Sequence, residues 1–415
     1  MKKFISLLVF ITQNISIKAI TTPRVVGQTY TTVAAPSVTV NTSGDSGGAG
    51  GTVGVVALSN YNSGSPDPST TDVSLDETNI DGTTRLTITT ANKNHKLTKT
   101  VTYAGTSNPA VTINAHNTVL DLDGRMIQYT GVATSGIHGI VINAGKKNIT
   151  IKNGIIKDFP GSGIYAVATS GNEIESLTIK NMLIMNNQNG ITLDYIKNAV
   201  ILNNKLHGNT VSSGTVYGLS IANSSSATFN GCEAINNSAT SGACYGFKID
   251  SCSNISLEEC TANANNGTGQ VSGFYITNCS FYNKLYSCKA HGNSSSSGTA
   301  HGYLLNSSAQ QLIENCLAIN NYATGDGQYS YGFKLSSSSN CTLVANQSDR
   351  NNYGFHDDES IGNYTNFFTQ NIACYNTTAN YVRSNSNPIS YVTINAQDLR
   401  DSSRKALLDN MAITS

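Results

Sequence analysis

The stretch "GFKIDSCSNISLEECTANAN", residues 246–265, holds three short alternations of apolar and polar side chains. Phe247 and Ile249 flank Lys248, Ile255 and Leu257 flank Ser256, and Cys260 and Ala262 flank Thr261. A period of two gives each of three short strands one apolar face. The clusters between them, such as "SCSN", suit tight turns, because Asn and Ser hydrogen-bond locally and Asn tolerates left-handed backbone.

The same unit recurs along the chain. Its first glycine stands at Gly139, Gly163, Gly190, Gly218, Gly246, Gly273, Gly302, Gly332 and Gly354, so successive units begin 22 to 30 residues apart. A sustained period of this length is the mark of a repeat architecture and takes precedence over local readings. Helical repeats would show apolar runs of period 3.6, and none occurs. Three strands per unit describe one coil of a parallel β-helix, with columns stacked at about 4.8 Å per coil.

Units of this type, preceded by "NPAVTINAHNTVLDLDGRMI" at 108–127, resemble the right-handed parallel β-helix, pectin-lyase-like superfamily. The resemblance spans about residues 80–395. It implies an all-β, right-handed parallel β-helix solenoid of about nine to eleven coils. It leaves the chemistry open, because that superfamily holds lyases, hydrolases, epimerases, adhesins and binding proteins.

The coils sit inside a longer plan. Met1-Lys2-Lys3 followed by the apolar run from Phe4 to Ile11 predicts an export signal over 1–19. Residues 20–74 contain Pro23, Pro36, Pro66 and Pro68, four of the seven prolines, and little charge. They read as a flexible stalk, because such a segment buries too little apolar surface to offset its ordering entropy. The β-helix is expected over 75–395. A tail over 396–415, with Leu399, Ala406, Leu407 and Met411 at loosely helical spacing, reads as a helical cap over the open end of the stack. Within the predicted stalk, Gly44-Asp45-Ser46-Gly47-Gly48 matches the nucleophile signature of trypsin-like proteases. No histidine precedes His95, so Ser46 lacks the partners that a catalytic serine needs upstream.

Composition excludes several functions. Lys+Arg number 25 and Asp+Glu 25, only 12% of residues are charged, and there is no Trp. A neutral, weakly charged chain offers no electrostatic footprint for nucleic acid. No run approaches the roughly 18 apolar residues of a membrane span. The expected location is secreted, periplasmic or at the cell surface, as a monomer. Insertions collect between the third strand and the next glycine, as in "NANNGTGQVS" (263–272), "HGNSSSSGTAH" (291–301) and "NNYATGDGQYSY" (320–331). These predict loops on one edge of the solenoid, where repeat proteins usually bind their partners.

Nine cysteines in an exported chain ordinarily suggest disulfides. Here Cys232, Cys260, Cys288 and Cys316 recur every 28 residues, and Cys252 and Cys279 share another column. They read as ladders of buried thiols acting as small apolar side chains, although stacked coils leave one or two bridges geometrically open. Zinc is disfavoured, because no Cys or His pair has ligand spacing. His207 and His291, in matching "HGN" triplets three coils apart, read as solvated turn residues.

One unit breaks the pattern. Where others read "YGFKID" (245–250) or "YGFKLS" (331–336), residues 353–360 read "YGFHDDES". Asp357 takes the inward apolar position and Asp358 and Glu359 follow. His356 takes the outward position of Lys248, Tyr275 and Lys334, and Arg350 precedes the turn. This cluster suggests acid/base chemistry by Asp357, Asp358, His356, Lys334 and Arg350, or a calcium site at Asp357, Asp358 and Glu359. Tyr353, Glu359, Lys248 and Tyr275 are candidate ligand contacts. "HDD" resembles the paired-aspartate motif of polygalacturonases, but their companion motifs are missing. "YGFHDDE" also resembles, in scrambled order, a Tyr-Gly-Phe stretch of alginate epimerases. The other reading is that stacking ends near residue 360 and leaves Asp357 in solvent. The leading function is a non-catalytic module that binds a polysaccharide, a cell-surface glycan or a surface protein, with no required cofactor. The alternative is a polysaccharide lyase, epimerase or hydrolase using residues 356–359.

Overall fold

The computed structural model describes residues 72–132, 135–358 and 366–383. The predicted signal, the stalk up to residue 71 and the C-terminal cap, together with Ser46 and Glu359, lie outside them, whereas Val73–Leu75, at the predicted end of the stalk, already forms a strand. Every strand pairing between coils is parallel. The strand that carries or directly follows each unit's glycine belongs to a 12-stranded parallel sheet running from Leu86–Ile88 to Ala379–Arg383, in keeping with the predicted solenoid. The described residues contain no helix long and apolar enough to cross a membrane.

The unit quoted above folds as its alternation predicts. Cys244–Asp250 forms the first strand, Ser253–Glu258 the second and Thr261–Asn263 the third. Phe247, Ile249, Ile255, Leu257, Cys260 and Ala262 all point into the core. Because parallel pairing is in register, like residues stack on like. Phe247, Phe274, Tyr303, Phe333 and Phe355 form a buried column with ring centroids 4.6–5.0 Å apart and planes within 6°. Such offset stacks add to the hydrophobic gain of burial.

The insertions depart from the expected irregular loops. Thr210–Val211, Ser238–Ala239, Asn266–Gly267, Ser294–Ser295 and Tyr322–Ala323 form a fourth column, a five-stranded parallel sheet. Stacking supplies the cause. Once one coil lies on the next, the insertion backbones also come within hydrogen-bonding distance, as in Ser238 N to Asn209 O (2.9 Å) and Asn266 N to Asn237 O (2.9 Å). This column has its own small core of Val216, Ala239, Cys244 and Val271, with Val211 packed against it.

Asparagine plays two parts at the corners. Asn203 and Asn236 adopt φ of 52° and 56° and turn the chain outward, as the turn clusters suggest. The asparagine after each, Asn204 or Asn237, is fully buried, and Asn237 belongs to a ladder of such residues. Asn209, Asn237, Asn265, Asn293 and Asn321 each donate from Nδ2 to the Oδ1 of the next, at 2.9, 2.8, 2.9, 2.9 and 3.1 Å, and Asn351 continues the run to Asn376 at 3.3 Å. Each also donates to a backbone carbonyl of the preceding coil, for example Asn265 Nδ2 to Ala234 O at 3.0 Å.

All nine cysteines are free thiols. Those at corners do more than fill space. Cys232, Cys260, Cys288 and Cys316 donate to carbonyls of the preceding coil at 3.4–3.7 Å. Asn204 and Asn346 occupy the two ends of that column, so the thiol stands in for a corner amide donor. Burial pushes the Cys244 and Cys252 thiols up to about 12, which keeps them protonated and poorly nucleophilic.

Candidate functional site

The irregular coil lies within the stack, not at its end. Tyr353–Asp358 pairs with Ser330–Ser336 on one side and Ala379–Arg383 on the other. Stacking therefore continues past residue 360. Asp357 is 5% exposed and accepts a 3.0 Å hydrogen bond from Asn366 Nδ2. Asp358 follows it on a strand, so its side chain projects from the opposite face, where it is half-buried. The two carboxylates thus face different environments, one in the core and one outside. A paired-carboxylate attack on one substrate, or joint ligation of one calcium ion, is not built from them. Among the described residues no group of three or more His, Cys, Asp or Glu is arranged to hold a metal ion.

The other candidates divide into two clusters on the outer face of the glycine-bearing sheet. Lys334 and His356 are register partners one coil apart, as the repeat implies. Lys334 Nζ lies 4.6 Å from the centre of the Tyr331 ring, and His356 lies 5.2 and 5.6 Å from the rings of Tyr331 and Tyr353. Tyr331 also stacks on His301, at 5.3 Å. Lys248 and Tyr275 occupy an earlier stretch of the same column. There Lys248 pairs with Asp250 at 2.9 Å, and Tyr275 stacks on Tyr245 at 4.8 Å. Leu304, 5% exposed, occupies the position between Tyr275 and Lys334. Arg350 turns outward at the preceding corner and pairs with Asp349 at 3.6 Å.

Burial sets the protonation of the later cluster. It lowers His356, with Lys334 adding repulsion, and it lowers Lys334 itself. It raises Tyr331 to about 12, helped by neighbouring Tyr353, and lowers His301 to about 3, helped by Lys334. His301, 2% exposed, has Nδ1 within 3.3 Å of Ser272 Oγ and of Val271 O. Its neutral form is the folded form, whereas an unfolded histidine protonates near 6.5. The resulting stability is present above that value and lost as pH falls toward about 3, at about 1.4 kcal/mol per unit. Urea midpoints between pH 7 and 4 should therefore fall more steeply for the natural protein than for His301→Gln. Parallel slopes would remove His301 from this account.

A second region lies over the fourth column. Its outer surface forms an open groove of about 700 Å³ crossing four coils. Ser238, Asn266, Ser294 and Tyr322 form one register row along it, with Thr268 and Thr324 beside them. Tyr322 is 51% exposed, and no lining residue is charged. Ser238 Oγ donates to Asn266 Oδ1 at 2.7 Å, the one-coil spacing bridged by side chains. The insertions pointed to this edge, but not to these residues, because their facing depends on the fourth strand. A further groove of about 670 Å³ follows the corner above Cys288 and Cys316 and includes Glu259 and Lys289. His207 and His291 stand in one column three coils apart, with Ile235 and Asn263 between them.

Comparison with known proteins agrees with the architecture. A model described as the right handed beta helix region matches residues 70–246 and 138–303. No curated protein matches the chain. Similar solved structures include the mannuronan C-5 epimerase AlgE4 A-module of Azotobacter vinelandii, at 12% identity and TM-score 0.45, covering 77% of this chain and 88% of that one. They also include the pectate lyase Pel9A, at 14% identity and TM-score 0.40, covering 79% and 77%. A third is the catalytic domain of a GH87 alpha-1,3-glucanase in complex with tetrasaccharides, at 11% and 0.43, covering 77% and 64%. The family match spans more than half of the chain, and it coincides with the stacked coils: this protein belongs to the right-handed β-helix family.

Proposed function

We propose that this protein is an exported polysaccharide-binding module that holds its ligand along the groove over the fourth column. The observation that carries the reading is the groove's lining: hydroxyls, amides and one exposed tyrosine in register rows, with no charged side chain. Hydroxyl and amide groups exchange hydrogen bonds with sugar hydroxyls in both directions. Tyr322 offers an apolar ring face with a polar tip, the kind of contact that makes tyrosine effective at binding surfaces. The coils repeat at about 4.8 Å, a distance close to one sugar unit of an extended polymer, so successive units meet equivalent rows. The export assignment rests on the basic, apolar N-terminus.

The same lining favours binding over turnover, because it offers no charged acid or base to move a proton. The outward cluster at Lys334, His356 and Asp358 is the alternative place for polysaccharide chemistry. The test is a panel of soluble polysaccharides assayed for binding by affinity electrophoresis and for turnover by reducing ends and unsaturated products. Retardation by at least one polymer without product is expected. Tyr322→Ala should weaken that binding about tenfold, the scale of one central aromatic contact. Product formation, or unchanged binding in Tyr322→Ala, contradicts the proposal.

A further inference from the structure

The outer column of the glycine-bearing sheet contains an internal comparison. At Lys248 the ammonium is matched two residues on by Asp250, and the pair closes at 2.9 Å. Asp250 is held in place by Asn278 and Ser251, at 3.1 and 3.0 Å. At Lys334, in the same strand position three coils later, the residue two places on is Ser336. Lys334 makes no ion pair with a described residue and rests instead over the Tyr331 ring. Asp358, the next carboxylate in that column, also takes part in no ion pair among the described residues.

Beside Lys334 stands His356, whose Nδ1 is buried and has no hydrogen-bond partner among the described residues. A half-buried ammonium that closes no ion pair among the described residues and feels only the longer-range attraction of Asp358, next to an unsatisfied imidazole, is a costly arrangement for a purely structural sheet face. An incoming anion supplies what Asp250 supplies at Lys248. We propose that Lys334, with His356 and Tyr353 beside it, forms a recognition site for one oxyanion group, a carboxylate or a sulfate ester, of an acidic ligand. The charged and titratable groups around it are Asp358, Tyr331 and the buried His301. Asp358 lies one coil from Ser336, and its carboxylate disfavours a second anion beside the first. This site is separate from the uncharged groove, and it stands or falls independently of the binding proposed there.

The experiment is calorimetric titration of the full chain with sodium sulfate and with sodium acetate, each against sodium chloride at equal ionic strength. Saturable binding of at least one is expected. Sulfate alone identifies a sulfate ester as the natural group, acetate alone a carboxylate, and either outcome supports the site. Lys334→Gln should weaken binding at least tenfold. Ser336→Asp, which rebuilds the Lys248–Asp250 arrangement, should do the same without loss of fold, and Lys248→Gln should leave binding unchanged. Absence of saturable binding by both anions overturns the inference, as does Ser336→Asp binding as well as the natural protein.

Discussion

Gly273→Ala is expected to destabilise the central coils by about 3 kcal/mol, at the upper end of overpacking costs. The reason is proximity, not backbone freedom. A Cβ at Gly273 would lie 2.8 Å from the carbonyl oxygen of Gly302, 2.9 Å from Ala290 Cβ and 3.0 Å from Asn293 Nδ2. One of those atoms is backbone of the next coil, which moves only if the stacking distance itself opens. Gly218, Gly246 and Gly302 face the same obstacles, which is why the glycine marks every unit. Gly124 provides the contrast, because it has φ of +74° and nothing within 4 Å of its Cβ position. Gly124→Ala should cost only about 1 kcal/mol, the left-handed backbone penalty. Urea unfolding of both variants separates the two causes, and equal losses would show that close approach is not what the unit's glycine provides.

Asn265→Ala is expected to cost about 3 to 5 kcal/mol. The change removes the acceptor of Asn237 N and Asn237 Nδ2, at 3.1 and 2.8 Å, and the donor to Ala234 O. Each buried polar group left without a partner costs about 1–3 kcal/mol, and here several lose one together. The neighbouring Asn266, which is exposed, should tolerate alanine within about 0.5 kcal/mol. Because each coil contacts only its neighbours, the loss should be local. Hydrogen exchange should quicken first around Asn237, Asn265 and Asn293 and leave the coils near Ile140 protected. Uniform loss of protection across the solenoid would show that the ladder is not the element that links coil to coil.

The repeat made the first three strands legible, because period-two alternation survives in residues such as Phe247, Ile249, Ile255 and Leu257. Register also followed, since like positions recur at a near-constant interval and parallel stacking places them together. What stayed hidden depends on the third dimension. Ser238, Asn266 and Ser294 carry no apolar alternation, so nothing in them signals a strand until coils stack. The two roles of asparagine share one letter. Only in adjacent pairs, such as Asn203-Asn204 and Asn236-Asn237, does the order distinguish the exposed corner from the buried rung.

The candidate site illustrates the same limit. Asp357 and Asp358 read as a pair along the chain, yet a strand sends neighbours to opposite faces. The inward placement of Asp357 was legible from its column. Its partner Asn366, nine residues on, was not. Conversely, Lys334 and His356 are 22 residues apart and became neighbours only through the length of one coil. The corner thiols followed the predicted columns but serve as hydrogen-bond donors, a role set by the carbonyls that the preceding coil presents.

The binding of ligand proposed along the fourth column should leave a localised footprint. Hydrogen exchange of the full chain, with and without the polysaccharide that binds best, tests it most directly. Added protection is expected at 238–240, 266–268, 294–296 and 322–324, with the polymer recovered unaltered. Protection confined to 331–336 and 353–358, together with cleaved or epimerised polymer, would contradict it and move the function to the outer face around His356.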